Sequence, residues 1–235
     1  MGAIFKREFK AYFHSPIGYV FLALMFGFSG YAFAYMLSNQ VSYIPYIFSF
    51  MINLVMIAIP LLTMRLLSEE RKTKTDQILF TTPVSLSGIV LGKYFAALLM
   101  FFIGMAPTIC YMIITAAYAT PDWNVFVGNF LGMALLGAAL IAIGLFISSL
   151  TESQVVAAIA TFAIIMFILI MDGISYVIPE NMAFLGTVIS GLSFMIRVNE
   201  LSSGLLNAAH LLFFVSVVVI FNFLSIRMLE KKRWS

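Results

Sequence analysis

Side chains able to do chemistry are scarce in this chain, and most of them crowd into one stretch. Arg65 is followed by Ser68-Glu69-Glu70-Arg71-Lys72-Thr73-Lys74-Thr75-Asp76, and then by the small apolar ridge Ile78, Leu79 and Phe80. Charge tipped with an apolar ridge is the chemistry of a docking surface; a plain solvated loop is the competing reading. Elsewhere the reactive types are isolated. His14 and His210 lie far apart and have no HExxH partner, which argues against a zinc hydrolase, and His210 reads as a packed polar residue. Gly132 and Gly137 have the spacing of a phosphate loop, but Ala138 and Ala139 stand where Lys and Ser/Thr are needed, so no nucleotide site is expected there. Cys110, the single cysteine, cannot form an internal disulfide. Asp172 falls at the end of an apolar run, and no ionisable residue is placed near the middle of one, which argues against proton-driven transport and intramembrane catalysis.

The elements that must position the charged stretch can be read around it. Ser68 can cap a short surface helix whose first turn holds Glu69 and Glu70, where the helix dipole favours acids. The bases Arg71, Lys72 and Lys74 follow, and Pro83 forces Thr82 out of helical geometry and ends the element. Ser85 or Ser87 can cap the next helix, which carries Gly92 and Lys93 into lipid.

The rest of the chain belongs in a bilayer. It has 235 residues, of which 63% are hydrophobic and only 10% charged, with a mean hydropathy of +1.06. A soluble domain would be charged at about a quarter of its positions. The net charge of +3 is small, and no basic tract with interleaved aromatics points to nucleic acid. A membrane helix takes about 20 apolar residues, and the sequence predicts six, at 17–37, 46–66, 89–118, 125–150, 155–177 and 207–228. The first run is longer than the about 7 to 15 residues of a signal-peptide core, so it is read as an uncleaved span despite the Ala32-Phe33-Ala34 that imitates a cleavage site. Residues 3–14 form an interfacial helix with Phe5, Phe9, Tyr12 and Phe13 on one face and Lys6, Arg7, Lys10 and His14 on the other.

Pro60 and Pro107 predict kinks in the second and third spans. Gly128 and Gly132, with Gly137 and Gly144 beyond, make the fourth span a close-packing helix. Thr151-Glu152-Ser153-Gln154 reads as a plain turn. Between Asp172 and Asn207 the segments are too short to span and too apolar for a free loop; two short helices in the outer leaflet fit, an ordinary structured loop fits equally, and Arg197 and Glu200 lie here. With both termini inside, one side receives Lys6, Arg7, Lys10, Arg65, Arg71, Lys72, Lys74, Lys93, Arg227, Lys231, Lys232 and Arg233, and the other receives Arg197 alone. The positive-inside rule therefore puts both termini and the charged stretch in the cytoplasm.

A family resemblance joins these parts. Ile59-Pro60-Leu61-Leu62-Thr63-Met64-Arg65, then Ser68-Glu69-Glu70-Arg71-Lys72-Thr73, Thr81-Thr82-Pro83-Val84 and Leu91-Gly92-Lys93-Tyr94, resemble the cytoplasmic signature of ABC-2 type transporter permeases. The branch it is most similar to is that of the gliding-motility-associated permeases, which Phe5-Lys6-Arg7-Glu8-Phe9-Lys10, Ser15-Pro16-Ile17-Gly18-Tyr19, Arg227-Met228-Leu229-Glu230 and Arg233-Trp234 also match. Lys74 stands where the family usually has Gly, and Gln77 where it has Glu. The resemblance implies one all-α transmembrane domain over 1–235: an interfacial helix (1–15), six spans, a cytoplasmic coupling helix region (66–83) and an extracytoplasmic helical hairpin (178–206). It implies a plasma-membrane exporter subunit without enzymatic activity or bound cofactor. A separate ATPase subunit carries ATP-Mg and a second permease subunit, identical or related, completes the membrane unit. The ATPase contact is expected at Glu69, Glu70, Arg71, Lys72, Asp76, Ile78, Leu79 and Phe80; the resemblance also makes Thr151-Glu152-Ser153-Gln154 a second, smaller cytoplasmic contact, against which the residues themselves favour a plain turn. The alternative is a structural subunit of a membrane complex without net transport.

Overall fold

The computed structural model describes residues 1–40, 43–73, 85–175, 191, 193–204 and 207–233. Lys74, Asp76, Gln77, Ile78, Leu79, Phe80, Pro83 and Trp234, and the 178–206 hairpin except 191, 193–204, lie outside these residues. Among the described residues every regular element is a helix: α1 (Gly2–His14), α2 (Pro16–Ser38), α3 (Pro45–Thr63), α4 (Ser68–Lys72), α5 (Leu86–Met105), α6 (Pro107–Tyr118), α7 (Trp123–Leu150), α8 (Gln154–Ser175), α9 (Phe194–Ser202) and α10 (Ala208–Arg233). Six segments are long and apolar enough to cross a membrane: Pro16–Ser38, Pro45–Lys72, Leu86–Tyr118, Trp123–Leu150, Gln154–Met171 and Ala208–Lys231. These are the six spans expected from hydropathy, and the chain is an all-α membrane protein.

The span α7 forms the axis of the bundle. Its apolar window is 72% buried, against 17% for α8 and 22% for α10, and α3, α5, α8, α9 and α10 all pack on it. Glycine makes that density possible. A Cβ at Gly128 would overlap the Leu201 carbonyl oxygen of α9, and one at Gly144 would overlap the Thr63 hydroxyl at the end of α3. Between helices in lipid, where no hydrophobic drive pulls them together, such close backbone approach is what gains dispersion contact. Asn129 adds a polar tie, its side-chain amide donating to the carbonyls of Val125 (2.8 Å) and Ser202 (3.1 Å).

The prolines act differently from one another. Pro60 lies buried inside an uninterrupted α3. At Pro107 the third span is cut into α5 and α6. The missing proline N–H would have bonded Ile103 O; the Ala106 N–H reaches that carbonyl instead, at 3.2 Å, and the Thr108 hydroxyl donates to Met105 O at 2.8 Å. Ser15 separates α1 from α2, its hydroxyl accepting from the Ile17 N–H at 3.2 Å with Pro16 in the first helical turn. The aromatic face of α1 is a ladder, Phe5 on Phe9 on Phe13 on Tyr19, with centroid separations of 6.1, 5.2 and 6.2 Å.

Candidate functional site

Residues 64–73 follow the end of α3, and they are held from two sides. On one side stands α1. Its buried stripe is Ile4, Glu8 and Tyr12, spaced four apart so that all three face the bundle. The Tyr12 hydroxyl donates to Leu62 O at 2.9 Å, and the Arg65 guanidinium lies over the Tyr12 ring, 5.1 Å from its centroid. Burial pushes the Tyr12 phenol up, so it stays a donor.

Beside this contact four charges meet. Lys93, from the first turns of α5, is 1% exposed; its ammonium is 3.1 Å from Glu8 Oε1 and 2.9 Å from Glu70 Oε1. Arg7 Nη2 lies 2.7 Å from Glu8 Oε1 and 2.6 Å from Glu70 Oε1. Two cations and two carboxylates thus close a neutral ring that joins α1, α4 and α5. Burial alone would push the Glu8 carboxyl up, but Lys93 and Arg7 outweigh it and hold Glu8 below the usual carboxylate range. Burial likewise opposes the Arg7 charge and is overcome by Glu8 and Glu70, which raise its pKa. The ring floors an open cleft of about 330 Å³ walled by Arg7, Glu8, Arg65, Glu69, Glu70 and Lys93.

On the other side stands the end of α7. Ser148, fully buried, accepts from the backbone N–H groups of Leu67 (3.0 Å) and Ser68 (3.1 Å) and donates to Met64 O (3.2 Å). It therefore does for α4 what Ser68 was expected to do. Ser68 is not a cap: it is the first helical residue, and its own hydroxyl donates back to Met64 O. Arg71 reaches past it to Ser149 O and to Glu152 Oε1, both at 3.1 Å. The turn at Thr151–Gln154, read from sequence as a plain connection, is thus a brace for the polar segment. The expected N-cap of the following helix is Ser85, which accepts from Gly88 N–H at 3.2 Å, with Ser87 donating to Ser85 Oγ.

The residues singled out from sequence divide accordingly. Glu70 and Arg71 are turned into the protein, their side chains each 14% exposed, whereas Glu69 (49%) and Lys72 face outward. Glu69 keeps a loose partner, Arg65 Nε at 3.5 Å. Sequence reasoning did not mark Glu8, Tyr12, Lys93 or Ser148 as site residues, and it preferred a plain turn for the stretch that holds Glu152. Only Lys93 carried a signal, because a lysine inside an otherwise apolar run of 20 residues must find a carboxylate or reach water.

A second polar group lies at the far end of α7, about 30 Å away by the helical rise between Gly128 and Ser148. There Arg197 of α9 covers the Phe213 ring at 4.1 Å and meets His210 Nδ1 at 3.2 Å, and His210 Nε2 faces Glu200. His210 is a packed polar residue, 8% exposed, as its position predicts.

Comparison with known proteins adds the frame for this geometry. No curated protein sequence matches the chain. The sequence model of the family described as ABC-2 family transporter protein matches residues 42–234, from just before α3 to beyond α10. That stretch contains the polar segment, five of the six spans and the α7 axis, and on it the chain belongs to the ABC-2 family of transporter proteins.

Proposed function

We propose that this chain is the permease half of an ATP-driven exporter in the plasma membrane, with α4 and the residues that follow it as the coupling element. A separate subunit binds ATP-Mg and hydrolyses it. A second copy of the chain, or a related one, completes the membrane unit, and the chain itself holds no cofactor. The observation that carries the reading is the bracing of the polar segment. It sits between two spans of an ABC-2 family domain and is tied to α1, α5 and α7, while Glu69 and Lys72 are left facing outward. A segment built this way can pass a push from outside into three helices at once. Asp76, Ile78, Leu79 and Phe80 extend the same contact. Both termini and the coupling element lie on the ATP side, which the 12-to-1 division of basic residues supports.

The reading is tested by isolating the complex of this chain with its ATP-hydrolysing subunit from native membranes and reconstituting it in vesicles. ATP is expected to drive export, and hydrolysis is expected to exceed that of the free ATPase. Reversing the outward pair, Glu69→Lys with Lys72→Glu, should lower that stimulation at least tenfold without loss of folded protein, since neither side chain holds the bundle together. Full stimulation in this variant would move the contact elsewhere, and ATP hydrolysis without any transport would leave an assembly subunit in place of an exporter.

A further inference from the structure

The proposed coupling element must transmit motion, and the charged ring sets the route. We propose that Lys93 is the positioning residue that makes α1, α4 and α5 move as one body, acting through Glu8 and Glu70; this rests on the coupling reading above. Three observations carry it. Lys93 is buried to 1% exposure in a span, where an ammonium is tolerated only when its partners are fixed, and it has two from two different elements. The ring is neutral, so none of its members can leave without exposing an uncompensated charge to a low-dielectric site. The backbone beside it is also locked: Gly92 packs against Ile4 of α1, with the direction of its missing Cβ ending 3.2 Å from Ile4 Cβ. An ordinary surface ion pair has none of these properties and would be worth little.

The consequence is a defined order of connection. Glu70 is the arm to α4 and Glu8 is the arm to α1, with Lys93 the common pin on α5. Arg7, whose side chain is 53% exposed, is a second and weaker link directly between α1 and α4. Cutting different arms must therefore have different effects. In Lys93→Met/Glu8→Gln one charge of each sign is removed and Arg7–Glu70 remains, so of the ring's two connections α4 keeps the one to α1 and loses the one to α5, its ties to α7 being unchanged. In Glu70→Gln the arm to α4 is itself cut while Lys93 stays paired with Glu8.

A covalent bond between α1 and α5 separates these cases. Ile4→Cys with Gly92→Cys, in a Cys110→Ser background, places two Cβ atoms close to the about 3.8 Å of a disulfide. Amide hydrogen exchange over 68–73 is measured on the full chain in lipid nanodiscs, with no partner present. Exchange is expected to rise at least fivefold both in Lys93→Met/Glu8→Gln and in Glu70→Gln. The oxidised disulfide should restore protection in the first, where α4 still hangs on α1, and not in the second. Exchange within twofold of wild type in both variants, or equal rescue of both, would overturn the proposal. Should Lys93→Met/Glu8→Gln fail to fold, Glu70→Gln with and without the disulfide still decides it. The stimulated ATP hydrolysis of the complex is read in parallel: a wild-type complex without stimulation refutes the coupling reading alone, because the exchange experiment does not depend on it.

Discussion

At the scale of single residues, the contact between α1 and α5 is electrostatic where hydropathy alone would have made it apolar. Glu8 is the member of the ring whose titration is accessible to experiment. Its pKa is lowered in the folded protein, so it contributes stability that is complete above the ordinary glutamate value of about 4.3 and is lost as pH falls through the lower folded value. The wild-type melting temperature in detergent is therefore expected to hold from neutral pH down to that range and to drop below it. Glu8→Gln should start lower at neutral pH, because Lys93 and Arg7 then share only Glu70, and its curve should meet the wild-type curve in acid. Parallel curves at all pH values would show that Glu8 is not the titrating partner. In the sequence Arg7 was read on the basic face of an amphipathic helix and Glu8 only within the motif over residues 5–10, and nothing in either pattern distinguishes a headgroup anchor from a buried partner. The distinction is made by Lys93, more than eighty residues away, which the α1 and α5 packing brings to the same place.

At the scale of elements, α4 is a helix of five residues that could not persist alone, since its nucleation cost exceeds what a single turn returns. Its stability comes from α7. Ser148 accepts two N–H groups that the helix start would otherwise leave open and donates to a third backbone group, all in a buried site. Ser148→Ala is expected to cost about 1–3 kcal/mol and to speed amide exchange at Leu67 and Ser68. Ser149→Ala, which removes a hydroxyl that donates to Phe146 O within its own helix and is not bonded to the Leu67 or Ser68 N–H groups, should leave those two amides as they are. Equal effects from the two substitutions would mean that α4 is held by packing alone. The sequence foretold that a short helix begins here and which acids occupy its first turn, because those follow from local chemistry. It misassigned the cap, because Ser68 and Ser148 are equally good serines on paper. Only the meeting of α3, α4 and α7, which Gly144 allows by admitting Thr63, selects the distant one. The break at Pro107 was legible from a local event, the loss of one N–H, whereas the same loss at Pro60 leaves α3 uninterrupted, which its own sequence does not foretell.

At the scale of the whole molecule, the two polar groups lie at opposite ends of α7, separated by about the thickness of a bilayer core. One end carries α1, α4 and the ring; the other carries α9, Arg197, His210 and Glu200. Hydropathy placed all six spans within a few residues because a run of about 20 apolar side chains has few alternatives, yet it could not say which span is central. That depends on which helix is slender enough to be approached from all sides, and the glycines of α7 settle it. The orientation proposed here follows from charge counting, and labelling can test it. In a Cys110→Ser background, Lys72→Cys and Lys231→Cys are both exposed and should react with a membrane-impermeant maleimide only after cells are opened, whereas Ser203→Cys, just beyond α9, should react in intact cells. Labelling of Lys72→Cys from outside would place the polar segment away from ATP, and no arrangement of the ring could then connect it to a cytoplasmic motor. Labelling of Lys72→Cys and Ser203→Cys from the same side would contradict the separation of the two ends by α7 and hence the bundle itself. The two outcomes thus test the coupling reading and the fold independently.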